Sequence, residues 1–294
     1  MPENKTVIKA TSLAPIKLLN GKEFRFDGPL VMGVINITPD SFYDGGKFIS
    51  AEEAIKQAEK LIKEGADILD LGACSTRPNA IDIGEQEELK RLLPVLDYLV
   101  KYHPDTPISV DTYRATVAKE AVQRGALIVN DISGGTMDSA MFEIVAKLKT
   151  PYILMHIQGT PETMQVNPTY TDVVKEVEIF FIQQIEKLRK AGVTQIIIDP
   201  GFGFGKSVEH NFTLLKHFHH FTKLGMPIMA GLSRKSMINK VLKTKPENAL
   251  TGTIALNTLA LLEGANILRV HDVKEAHQVI TLVNQFNHPK AKQA

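Results

Sequence analysis

The sequence has little cysteine, little net charge and no long apolar run. Cys74 is its one cysteine, so no intramolecular disulfide can form and a reducing compartment suits the chain. The formal net charge is +1 over 294 residues. That balance gives no reason to expect nucleic acid or an anionic membrane as the main partner. No apolar run approaches the roughly 20 residues that a bilayer span needs. The opening stretch MPENKTVIKATSLAPIK lacks the continuous apolar core of a secretion signal. The expectation is a cytoplasmic protein with no membrane partner. Core material, by contrast, is ample: 44% of the residues are hydrophobic, enough for one large domain or two small ones.

An alternation runs through the chain. Short apolar, β-branched stretches are followed by longer segments of helical period. Candidate strands are LVMGVIN (30–36), DILDLG (67–72), PISVDT (107–112), LIVND (127–131), YILMH (152–156), QIIID (195–199), PIMAGL (227–232) and NILRVH (266–271). Most are continuously apolar, as expected where both faces of a parallel sheet are buried. Between them, Ser50-Ala51-Glu52-Glu53 is a capping-box pattern, followed by Ala54, Ala58, Leu61 and Ile62 on one helical face. Residues 173–188 place Val173, Val177, Phe180, Phe181, Ile185 and Leu188 on one stripe. Gly65, Gly125, Gly192, Gly225 and Gly264 sit where helices should stop.

Eight β/α units with no low-complexity linker predict a (β/α)8 TIM barrel. An open doubly wound sheet is the alternative. The reading is of a single domain over 1–294, with its core at about 28–288 and a frayed tail at 289–294. Asn20-Gly21 between extended stretches predicts a β-hairpin at about 14–28, placed as a lid over the bottom of the barrel.

Chemistry in such a barrel sits at the C-terminal ends of the strands. Here those ends are polar: Asn36, Asp111, Asn130-Asp131, His156, Asp199, the SRKS run, and Arg269 with His271. Taken singly, each could be a cap or turn residue, as Asp131 and Thr112 suggest. As a set they have a chemical character. Asp111, Asn130 and Asp199 can read the donors and acceptors of a neutral heterocycle. Arg77, Lys206, Arg234, Lys235, Arg269 and His271 can hold an anionic group such as phosphate. Together they suggest a flat polar ring carrying a phosphate.

The stretch DPGFGFGKS (199–207) imitates a phosphate loop, but Pro200 stands at the first glycine position. Phe202 and Phe204 are bulky for a loop that wraps phosphate. The glycines are read instead as letting Phe204 and the Lys206 stem approach a ligand while Asp199 reads its ring. The HFHH run (217–220) is read as a solvated helix face rather than a metal tract.

Eight motifs in order, MGVINITPDSFYDGG (32–46), STRPNA (75–80), SVDTY (109–113), VNDISGG (129–135), LMHIQGTPETMQ (154–165), DPGFGFGK (199–206), GLSRKSM (231–237) and RVHDV (269–273), resemble the dihydropteroate synthase family. The resemblance implies a barrel enzyme of folate biosynthesis. It would join 6-hydroxymethyl-7,8-dihydropterin pyrophosphate to 4-aminobenzoate through an SN1-like pterin cation. It implies pterin contacts at Asp111, Asn130, Met155, Asp199, Phe204, Gly231 and Lys235. Pyrophosphate would meet Asn36, Arg77, Arg269 and His271, with Mg2+ on Asn36. The 4-aminobenzoate pocket would draw on Phe42, Thr76, Pro78, Phe204, Lys235 and Ser236. Asp111, Lys235, Arg269 and His271 would carry the catalysis. Asp44 is either near the pyrophosphate or a plain turn residue. A homodimer is implied, as is competition by sulfonamides for the aminobenzoate pocket.

The stretch GACSTRPNA (72–80) departs from the family's usual GGESTRPGA, with Ala73, Cys74 and Asn79 as the replacements. The chemistry gives Cys74 no task as a nucleophile. A pterin-dependent methyltransferase or a non-catalytic pterin-binding relative are the runner-up readings. The second would be favoured by loss of Arg77, Lys235 or Arg269, and all three are present.

Overall fold

The computed structural model describes residues 13–37, 51–75 and 82–289. Strands β1 (Ile16–Lys17) and β2 (Glu23–Phe24) form an antiparallel hairpin around the Asn20-Gly21 turn. There Leu18 N–H donates to Lys22 O at 2.8 Å, and Gly21 takes a φ of 84°. Eight parallel strands follow: β3 (Leu30–Asn36), β4 (Ile68–Gly72), β5 (Ile108–Asp111), β6 (Ile128–Asp131), β7 (Tyr152–Met155), β8 (Ile196–Asp199), β9 (Met229–Ala230) and β10 (Ile267–Val270). Their order is β8-β7-β6-β5-β4-β3-β10-β9, and the parallel bridge Ile198–Ile228 joins the two ends into a barrel.

Helices α1 (Ala51–Lys63), α2 (Gly84–Tyr102), α3 (Ala115–Gln123), α4 (Met141–Leu148), α5 (Val173–Ala191) and α6 (Val208–Lys216) return the chain between strands. A short helix α7 (Ser236–Leu242) precedes α8 (Leu250–Leu262), and α9 (Val273–Asn287) closes the ring. The expected stripes face the barrel. On α1, Ala54, Ala58 and Leu61 are buried, with Ile62 partly so; on α5, Val173, Val177, Phe181, Ile185 and Leu188 are buried, while Phe180 packs at the edge of the core. All five expected helix-stop glycines take positive φ. Of the 217–220 run, His217 caps a 3-10 turn over Phe218–Leu224; Phe218 is buried, so the run is only in part the solvated face expected, and His220 pairs with Glu178 at 2.9 Å. Among the described residues no helix is long and apolar enough to cross a membrane.

The strands read as continuously apolar because they alternate between two apolar layers. Val31, Ile35, Leu69, Leu71, Val110, Val129, Leu154, Ile198, Leu268 and Val270 belong to the cluster shared with the helices. Met32, Ile68, Ile128, Ile153, Ile197, Met229 and Ile267 form a separate layer, packed with Leu13, Ile16, Phe24 and Phe26 of the N-terminal segment. The hairpin therefore covers the bottom of the barrel, as its sequence predicts. By strand period, the interior positions above that layer fall to Asp70, Asp111, Asn130, Met155, Asp199 and Arg269.

Candidate active site

The barrel register sets the polar residues in a ring. Asn36 pairs with Gly72, Gly72 with Asp111, and Asp111 with Asn130, while Met155 lies opposite Asp199. Side-chain bonds then join members of that ring. Arg269 Nη2 donates to Asp111 Oδ2 at 2.7 Å, and Arg269 Nε donates to Asp70 Oδ2 at 2.6 Å. Asn130 Nδ2 donates to the same Asp70 oxygen at 2.9 Å. Asp111 Oδ1 and Asn130 Oδ1 are buried without a hydrogen-bond partner. Such atoms are costly unless a ligand donates to them.

Asp70 is the functional residue that the sequence reading passes over. Its signal was present: a carboxylate inside an otherwise apolar strand, DILDLG, must find a partner once buried. Its exposure is 0%.

A second cluster completes the pocket. Lys235 Nζ lies 4.3 Å from the centre of the Phe204 ring, a cation–π contact. Met155 and Phe204 share a small apolar cluster with Ile132, Ile157, Met164 and Tyr113. A Cβ added at Gly231 would lie 3.8 Å from Asp199 Oδ2, so this glycine leaves the carboxylate uncovered. Ser236 is exposed at the start of α7. Phe42, Asp44, Thr76, Arg77 and Pro78 lie outside the described residues.

Burial governs the charge states. It lifts Asp111 and Asp199 above the usual carboxylate range; Arg269 opposes the shift at Asp111, and the Gly201 N–H opposes it at Asp199. Burial, then repulsion from Arg269, pushes Lys235 down to about 8. It pushes His271 down to about 4, with Arg269 and Arg234 adding to the effect. His271 is thus neutral in the free protein, which corrects its reading as a cation. Ser233 holds its ring: the hydroxyl accepts from the His271 backbone N–H at 3.2 Å and is hydrogen-bonded to Nδ1 at 3.0 Å, which leaves Nε2 as the ring nitrogen not engaged by Ser233.

Two other expected phosphate cations are turned to structural work. Arg234 bonds Asp272 through Nε at 2.9 Å and through Nη2 at 2.5 Å. Lys206 is buried, and its Nζ bonds Gly201 O at 3.0 Å, Phe204 O at 2.9 Å and His156 Nδ1 at 2.9 Å. The expectation that its stem reaches a ligand gives way to a knot inside the glycine turn. Three amides of that turn are also committed: Gly201 N–H to Asp199 at 2.8 Å, Gly203 N–H to Asn211 at 2.7 Å and Phe204 N–H to Gly201 O at 3.1 Å. Those three are turned away from the cradling a phosphate loop needs. Glycine is required at 201, where φ is 69° and a Cβ would stand 2.0 Å from His156 O.

Asp131 and Thr112, expected as caps, cap no helix and brace turns instead. Asp131 accepts from Ser133 N–H at 2.7 Å, and Thr112 accepts from Arg114 N–H at 3.2 Å. At the stem of the 72–80 loop, burial raises the Cys74 thiol, with Sγ 3.9 Å from the Tyr113 hydroxyl. A thiol held protonated is a poor nucleophile.

Polar side chains gathered at the C-terminal mouth of a parallel barrel stand where enzymes of this fold carry their chemistry. A family model described as pterin binding enzyme matches residues 32–271. The chain is 42% identical over 265 residues to dihydropteroate synthase of Escherichia coli, covering 90% of this chain and 93% of that one. A structure of the Yersinia pestis dihydropteroate synthase with a sulfonamide drug complex superposes with a TM-score of 0.88 at 38% identity, covering 93% and 99% of the two chains. The Xanthomonas albilineans enzyme with 4-aminobenzoic acid gives 0.86 at 39% identity, covering 95% and 99%. The chain belongs to the dihydropteroate synthase family.

Proposed function

We propose that this chain condenses 6-hydroxymethyl-7,8-dihydropterin pyrophosphate with 4-aminobenzoate, giving 7,8-dihydropteroate and pyrophosphate in folate synthesis. The observation that carries the reading is the bonded array Asn130–Asp70–Arg269–Asp111, with its buried, unpartnered acceptor oxygens. Asp111, Asn130 and Asp199 read the pterin ring, walled by Met155, Phe204 and Gly231, with Lys235 alongside. Asn36, Arg77, Arg269 and His271 meet the pyrophosphate. Ser236, Phe204 and Lys235 serve the 4-aminobenzoate, together with Phe42, Thr76 and Pro78.

The methylene C–O bond breaks first, and pyrophosphate leaves with the electron pair. The dihydropterin ring delocalises the positive charge, and Asp111 offers it a carboxylate. The neutral aniline nitrogen then bonds to the methylene carbon and releases its proton. The protein's part is electrostatic positioning, so no nucleophilic side chain is needed.

Mg2+ is part of the proposal, on Asn36. Among the described residues no three His, Cys, Asp or Glu side chains cluster as a metal site; the donors would be the Asn36 amide oxygen, pyrophosphate oxygens and waters, a set that suits this hard ion. Bound there, it would neutralise charge on the departing pyrophosphate. A homodimer is part of the proposal and rests on the resemblance; a cytoplasmic location is part of it too and rests on the single cysteine.

The test is to incubate the protein with both substrates and Mg2+ and to follow pyrophosphate and dihydropteroate. Product should require both substrates. Arg269→Ala should lower kcat/KM by about a hundredfold or more. Pterin binding without condensation would overturn the reading.

A further inference from the structure

We propose that Asp70 is a positioning residue that locks the Asn130 amide with its oxygen toward the substrate and aims the Arg269 guanidinium, thereby selecting a ring that donates hydrogen bonds at that point. The proposal rests on the function proposed above and deepens it.

A carboxylate accepts and cannot donate. The side chain that faces Asp70 from Asn130 must therefore be the NH2, and the amide is not free to turn over. Its oxygen is left facing away from Asp70, buried and without a partner. The same Asp70 oxygen takes the Arg269 Nε–H, which leaves the terminal nitrogens to reach outward, as Nη2 does to Asp111. One oxygen atom thus sets the direction of two groups proposed to meet substrate. Asp70 itself has no exposed surface, so it acts through them.

The fold gives no other reason for a carboxylate there. On the same face of the strand, Ile68 belongs to the apolar floor. Burying a charge costs stability that an apolar residue of similar size would not. The other Asp70 oxygen has no hydrogen-bond partner among the described residues. Retaining such a group is understandable if it orients the site.

The experiment measures binding of 6-hydroxymethyl-7,8-dihydropterin, without pyrophosphate, by calorimetry, and KM for 4-aminobenzoate by assay. Asp70→Leu should weaken dihydropterin binding by about tenfold or more while KM for 4-aminobenzoate stays within about twofold. Asp70→Asn should lie between, since an amide oxygen can still accept from both donors. Asn130→Asp sets two carboxylates face to face and should bind poorly. The double variant Asp70→Asn/Asn130→Asp exchanges donor and acceptor, and it should bind better than Asn130→Asp alone. Loss of both ligands in parallel for Asp70→Leu, no loss, or independent effects in the double variant would overturn the proposal. If Asp70→Leu fails to fold, the double-variant comparison decides. A wild-type protein that does not bind the dihydropterin would instead overturn the proposed function, and this inference with it.

Discussion

At the residue scale the site works by holding charges where water would normally disperse them. Lys235 shows the consequence. Its ammonium is pushed down to about 8 by burial and by Arg269, so it loses its proton as the medium becomes mildly alkaline. We expect kcat/KM to fall as pH rises through about 8, and Lys235→Arg to move that limb upward, because a guanidinium stays charged. A pH–rate profile of both proteins checks this; an unmoved limb would assign the titration elsewhere. Much of this site was legible beforehand. Asp111, Asn130 and Asp199 interrupt apolar strands at their C-terminal ends, and a barrel gathers those ends. Asp70 was hidden because strand period alone does not say which interior level a carboxylate occupies or what it meets there. His271 was misread as charged because its ordinary pKa tells nothing about burial beside two arginines.

At the element scale, the glycine turn after β8 is the segment where sequence and structure diverge most. A lysine following such a turn can point outward to a ligand or inward to carbonyls, and composition does not distinguish the two. Here it points inward, and Gln165 supports the same turn by donating to Gly203 O at 2.8 Å. The turn places Phe204 against Lys235. Lys206→Met keeps the stem and removes the donor, leaving buried carbonyls unsatisfied. It should cost about 2 kcal/mol or more of stability in a denaturation series and should also raise both substrate KM values through Phe204. Unchanged stability would mean that water replaces the ammonium. The strands and helix stops were easier to read, since a repeated apolar run and a glycine at its end are local signals. Strand ends differ from expectation by a residue or two; the widest gap is at β9, expected over 227–232 and formed over Met229–Ala230, with Ile228 bridging to Ile198.

At the scale of the whole molecule, the barrel is a vessel with a closed base. Sulfonamides, as mimics of 4-aminobenzoate, should raise its KM without lowering maximal velocity; inhibition that excess 4-aminobenzoate cannot relieve would place them elsewhere. The base matters for more than stability. Met32, Ile68, Ile128, Ile153, Ile197, Met229 and Ile267 seal the interior beneath Asn130 and Asp70, and the hairpin residues Ile16 and Phe24 back them. Among the described residues that floor leaves the opposite mouth as the way to Asn130. On the proposed roles the two reactants would form a queue: the ring at the far end, its partner behind it, and the joined product backing out the way both came in.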